Sequence, residues 1–153
     1  MNNGFCWGFI IVIFFSCRSD VVYEKHEKVG HQNNWKKDTP IHFAFELDSG
    51  YSYVLHLAIR YAEGYPYTNL WVNAKVWDPE GNVTSQKVII PLRNEEGGYL
   101  GEGLGDIYDV DYPLEKFFIR GFGKYKMKVA NVMPYDAPLI MEAGVVVRRS
   151  FRQ

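Results

Sequence analysis

Apolar and polar residues alternate over two long stretches near the middle of the chain. Ile41, Phe43, Phe45 and Leu47 alternate with His42, Ala44 and Glu46. After Asp48-Ser49-Gly50, Tyr51, Tyr53, Leu55, Leu57, Ile59 and Tyr61 share one parity, and Ser52, His56 and Arg60 share the other. Side chains of a strand alternate between faces, so the pattern predicts two half-buried strands joined as an antiparallel hairpin. Gly64-Tyr65-Pro66 breaks the pattern. A third strand is expected over 68–77, with Leu70, Val72, Ala74 and Val76 inward and Trp71, Asn73, Lys75 and Trp77 outward. Asp78-Pro79-Glu80-Gly81-Asn82 then predicts a tight reversal, since Pro pre-sets one turn torsion and Gly accepts a positive φ. A fourth strand follows over 83–92. Residues 93–105 are dense in glycine and read as the longest irregular stretch. Later strands are expected at 115–121, 124–132 and 144–150, with a reversal at Gly121-Phe122-Gly123 and one helical turn in 136–143. The pattern defines an all-β chain, an antiparallel, jelly-roll-like β-sandwich of seven to eight strands.

The first seventeen residues follow a different rule. An apolar run from Phe5 to Phe15 ends in Ser16-Cys17 and turns polar at Arg18-Ser19-Asp20. The run is shorter than the roughly 20 residues that cross a bilayer and suits the core of a signal peptide. A small residue before a cysteine, then a polar stop, is the order of a bacterial lipoprotein signal. Residues 1–16 are the expected signal peptide. Residues 17–39 are the lipidated terminus and a tether with an edge strand around 20–26, where Trp35 is the first residue to dock. Residues 40–153 are the sandwich. Cys17 is the expected lipidation site, bearing a diacylglyceryl group and an amide-linked fatty acid such as palmitate. This is a membrane contact through lipid, in the cell envelope and most simply at the outer membrane.

Composition narrows the function. Removing 16 of 153 residues leaves about 137, enough for one domain with its own core. The chain has two cysteines, Cys6 in the signal and Cys17 at its end, so no disulfide is expected in the mature domain. The formal net charge is -1 with both signs interspersed along the sequence, which argues against a nucleic-acid partner.

Candidate chemistry is sparse. Gly101-x-Gly103-x-Gly105 lacks the spacing of a dinucleotide fingerprint and the lysine of a P-loop, and no helix start follows it. It reads as a shaped loop with positive φ angles and a candidate contact surface. Asp106, Asp109 and Asp111 are a weak candidate for a calcium site, with turn capping and solvated charge as the plainer alternative. His26, His31, His42 and His56 have no zinc spacing, and nothing marks a nucleophile elbow. No catalytic set and no cofactor are expected. Trp71 and Trp77, with Tyr65 and Tyr67 nearby, form an aromatic strip that is buried packing, a protein interface or a glycan platform.

Three segments carry a family resemblance. They are Tyr65-Pro66-Tyr67-Thr68-Asn69-Leu70 leading to Asp78-Pro79-Glu80-Gly81, then Tyr99-Leu100-Gly101-Glu102-Gly103-Leu104-Gly105-Asp106-Ile107-Tyr108, and then Gly123-Lys124-Tyr125 to Met133 with Leu139 and Gly144-Val145-Val146-Val147. Together with the lipoprotein cysteine, this order resembles the gliding-motility lipoprotein family GldH. The resemblance implies a non-enzymatic component of the gliding and type 9 secretion apparatus with envelope protein partners. Tyr99, Gly101, Gly103, Gly105, Asp106 and Tyr108 of the glycine-rich loop, and Trp71, Trp77, Tyr65 and Tyr67 of the aromatic strip, are the candidate contact residues. A glycan-binding module is the alternative.

Overall fold

The computed structural model describes residues 20–119 and 121–150, so the signal segment and Cys17 lie outside the described residues. Eleven strands follow one another: β1 (Val21–Lys28), β2 (Asn34–Trp35), β3 (Pro40–Leu47), β4 (Ser52–Ala62), β5 (Asn69–Trp77), β6 (Val83–Pro91), β7 (Glu102–Leu104), β8 (Ile107–Ile119), β9 (Gly123–Asn131), β10 (Ala137–Pro138) and β11 (Ile140–Ser150). They form one sheet ordered β1-β11-β4-β8-β7, a second ordered β3-β9-β5-β6, and a small β10-β2 ribbon. The eight long strands pair as nested hairpins, first with last (β1 with β11), then β3 with β9, β4 with β8, and β5 with β6 at the centre. That nesting is a jelly roll. The expected seven to eight strands correspond to the long ones, and β2, β7 and β10 are short additions.

The expected hairpin of residues 40–61 is corrected. β3 pairs with β9, whereas β4 pairs with β11 and β8, so the turn at 48–51 crosses between sheets. Each strand presents its apolar face to the other across the core, where Phe43, Phe45, Leu55, Leu57 and Ile59 are buried. Alternation reports which face is buried and says nothing about the lateral neighbour. The reversal at 121–123 likewise carries the chain from β8 in one sheet to β9 in the other.

Three further expectations change. The sandwich begins at Val21 rather than at 40, because β1 pairs along its length with β11 and Trp35 is fully buried. The edge strand expected around 20–26 is therefore part of the sandwich, with Lys25 and Glu27, at its inward parity, lying at the sheet edge as an ion pair. The eighth strand starts at Ile107 rather than 115, with residues 114–117 out of register and Leu114 and Phe117 turned into the core. Residues 136–143 form no helical turn. Ala137 pairs with Trp35, Leu139 takes φ 62, and its carbonyl accepts from the Ala62 N–H before β11 starts. Among the described residues, every buried hydrophobic residue lies between Val29 and Val147, so a chain starting at Arg18 keeps all of them.

Strand directions sort the connections. The turns at 48–51 and 78–82, the crossing near 121–123 and the start of β1 lie at one end. Residues 29–39, 63–68, 92–106 and 132–139 lie at the other. The eleven residues of β4 separate the ends by about 35 Å.

Candidate functional site

The far end is built from tyrosines. Tyr61, the last inward residue of β4, is fully buried. Its ring contacts those of Tyr65, Tyr99 and Tyr108 at centroid distances of 6.1, 6.2 and 5.6 Å. Its single hydroxyl proton is shared between the carbonyls of Leu92 at 2.6 Å and Leu100 at 2.7 Å. Tyr99 stacks on Tyr108 at 4.9 Å, and its hydroxyl accepts from the Gly64 N–H and from Arg93. Tyr65 meets Tyr67 edge-on, and Tyr67 stacks on Tyr135 at 4.4 Å. Six tyrosines thus brace four segments far apart in sequence. Each aromatic pair contributes about 0.5–1.5 kcal/mol beyond its buried area. Asn131 fixes the neighbouring connection: its Nδ2 donates to the carbonyls of Trp35 and Tyr135, and its Oδ1 accepts from the Met133 N–H.

The glycine-rich segment is more regular than its composition suggests. β7 pairs with β8 as a hairpin whose two-residue turn is Gly105-Asp106, with Gly105 at φ 63. A positive φ at the first turn position matches the twist of paired strands. A Cβ on Gly101, at φ 101, would collide with the Asp109 carbonyl, and one on Gly103 would stand 2.9 Å from the Tyr108 ring. These glycines let β7 close against β8 and Tyr108. The Asp106 carbonyl accepts from the Glu63 N–H, which ties the turn to the β4 end. At the tip, Leu104 is 89% exposed, and Ile107 beside it is also exposed.

The structure therefore unites Tyr65, Tyr67, Tyr99, Gly101, Gly103, Gly105, Asp106 and Tyr108 at one end. Tyr65 is fully buried and shapes this end from within, presenting no surface to a partner. Trp71 and Trp77 stand apart on the outer face of β5, both half-buried, with Lys87 Nζ 4.1 Å over the first ring and Lys75 Nζ 4.9 Å over the second. Asp106, Asp109 and Asp111 do not converge. Asp109 pairs with both Nε and Nη2 of Arg60, and Asp111 takes Arg148 at 2.8 Å and His56 at 2.7 Å, while Asp106 occupies the turn. Among the described residues, no group of three His, Cys, Asp or Glu is placed to hold a metal. Sequence reasoning missed Tyr61, Arg93, Asn131 and Tyr135 because only the fold brings them to this end. It also missed a row of lysines, for which Lys124-x-Lys126-x-Lys128 was a readable signal.

Burial pushes the Tyr61 phenol up to about 12 and raises that of Tyr65 as well, because the charged phenolate is poorly solvated there. A folded-state value above the unfolded 10.0 gives stability that is complete below pH 10 and lost as pH rises through the folded value. The melting temperature is expected to hold steady between about pH 7 and 9 and to fall above about pH 10. Thermal melts across that range, read with tyrosinate absorbance, check this.

Fold and site together define a β-sandwich interaction module. A family model described as GldH lipoprotein matches residues 21–147, and the chain belongs to that family. The family is one of lipoproteins. The chain is 30% identical over 131 residues to the gliding motility lipoprotein GldH homolog of Christiangramia forsetii, covering 84% of this chain and 79% of that one. It is 28% identical over 123 residues to the gliding motility lipoprotein GldH of Flavobacterium johnsoniae, covering 80% and 76%. Among solved structures, a family 35 carbohydrate-binding module from Clostridium thermocellum is similar at a TM-score of 0.41 and 13% identity, over 82% of this chain and 88% of that one.

Proposed function

We propose that this protein is an assembly module of the gliding and type 9 secretion apparatus. In this reading Cys17 holds it at the outer membrane, and its tyrosine-braced end docks on an envelope protein partner. The observation that carries the reading is the hairpin tip. A leucine exposed to 89% beside a tightly braced two-residue turn buries almost none of its side chain in the fold, and rigid loops on a sheet scaffold are where binding residues concentrate. The relatives named for gliding motility supply the process. The glycan alternative is weaker, since Lys75 and Lys87 lie over the tryptophan faces that a sugar ring would stack on.

Leu104→Asp is expected to change stability by less than about 0.5 kcal/mol, because it alters an exposed position. It is also expected to abolish complementation of a strain lacking this gene, scored by secretion and by spreading. Full complementation by a normally accumulating Leu104→Asp protein would rule out the hairpin as the docking end.

A further inference from the structure

We propose that the outer face of the β3-β9-β5-β6 sheet is a second membrane contact, which lays the domain on the anionic surface of the bilayer that carries its anchor. The inference rests on the anchored reading above and adds an orientation to it. Strand parity places Lys124, Lys126 and Lys128 of β9 on this face, with Lys75 of β5 and Lys87 of β6 beside them. Glu46 is the one acid among the outward positions of these four strands. Lys75 lies directly opposite Lys128 in neighbouring strands. Like charges paired across a sheet oppose folding, so this placement costs stability and calls for an anionic counterpart.

None of the five lysines belongs to an ion pair among the described residues. The opposite face of the sandwich differs: Arg60 pairs with Asp109 and Glu142, and Arg148 with Asp20 and Asp111. The near-neutral net charge thus conceals one face of unpaired lysines and one of matched pairs. The lysine face also carries apolar groups suited to a headgroup boundary. Val83 and Ile89 are 48% and 49% exposed, and Trp71 and Trp77 are half-buried. A cavity of about 780 Å³ opens on it, lined by Lys25, Trp77, Pro79, Lys124 and Lys126 among others. Aromatic rings and basic side chains on an exposed apolar surface are the composition of a membrane-interface contact.

The occupant follows from charge and from the tether. Cys17 lies four residues before Val21, a reach of at most about 14 Å, longer than the ~10 Å between packed sheets. Lys25, on the strand that continues from this tether, lines the same cavity. The bilayer is therefore the polyanion held at highest local concentration to this face. Laid flat, the domain keeps the hairpin of β7 and β8 and the paired-charge face open to protein partners.

The test uses the chain from Arg18 onward, which holds all the described strands and no lipid. It is sedimented at low salt with vesicles of phosphatidylcholine alone or of equal parts phosphatidylcholine and phosphatidylglycerol. Binding to the anionic vesicles only is expected. Each juxtaposed lysine is worth about five-fold in affinity, so Lys126→Gln with Lys128→Gln should weaken binding about 25-fold, whereas Lys28→Gln on the other sheet should not. Equal binding to both vesicles, no binding to either, or indifference to the double substitution in a variant of unchanged melting temperature would each overturn the proposal. Binding of an acidic polysaccharide without anionic vesicles would overturn it in favour of a glycan. Failure in this assay leaves the lipid anchor standing, because the tested chain lacks Cys17.

Discussion

Replacing Tyr61 by alanine is expected to destabilise the domain by about 3–5 kcal/mol, the range for deleting a large buried aromatic side chain. Tyr61 is where three other tyrosines and two loop carbonyls meet. Domains of this size are stable by roughly 5–15 kcal/mol, so the loss is a large fraction of the whole and lowers the melting temperature by about 10 °C. Tyr61→Phe separates the ring from the hydroxyl. Leu92's carbonyl keeps the bond it accepts from the Leu100 N–H, whereas Leu100's carbonyl loses its Tyr61 partner. That change should cost about 1–2 kcal/mol and speed proteolytic cutting in 93–105 while the sheets remain folded. Urea unfolding with limited proteolysis reads both effects. A Tyr61→Ala protein with wild-type stability would mean that the far end is not braced through this residue.

The cluster around Tyr61 marks where the sequence stopped being readable. Which residues of β3, β4 and β5 face the core followed from period-2 alternation, and the structure agrees: Phe43, Phe45, Leu55, Leu57, Ile59, Leu70 and Val72 are all buried. Which strands lie side by side did not follow. In a jelly roll all but one of the successive long strands change sheet, and alternation looks the same whether the partner is lateral or across the core. Tyr61 and Tyr135 stand 74 positions apart, and no local pattern couples them. Leu139 at φ 62 has no warning either, because a left-handed leucine is set by its surroundings rather than by its own preference.

Other features were present but masked. Gly105-Asp106 between Leu104 and Ile107 is a two-residue hairpin signal, hidden among five glycines in nine residues. Lys124, Lys126 and Lys128 share one parity, yet an average over the chain gave interspersed charge. The three segments of family resemblance appear scattered in sequence. In the fold, Tyr65 to Asn69, Tyr99 to Tyr108 and the connection after Met133 converge on one end. The rest of the resemblance lies elsewhere: Asp78-Pro79-Glu80-Gly81 turns at the opposite end, and Tyr125, Met127, Val145 and Val147 are buried in β9 and β11.

Cys17→Ala is expected to abolish fatty-acid labelling and to change how the protein is held, rather than whether it touches the membrane at all. In the proposed anchoring the Cys17 thiol is the group that would receive the diacylglyceryl chain, so its removal should also remove the terminus that cleavage would produce. Each buried CH₂ contributes about 0.8 kcal/mol, and anchoring becomes stable only when more than one acyl chain is present. Wild-type protein should therefore stay with membranes through a high-salt wash. The unlipidated protein retains the lysine face, whose attraction is confined to about a Debye length and is screened by salt. It should associate with membranes at low ionic strength and leave them as salt rises. Membrane fractions washed across a salt series distinguish the two contacts in one experiment, because lipid insertion is nearly indifferent to salt and headgroup attraction is not. Labelling that persists in Cys17→Ala, or retention equal to wild type at high salt, would place the anchor elsewhere in the chain.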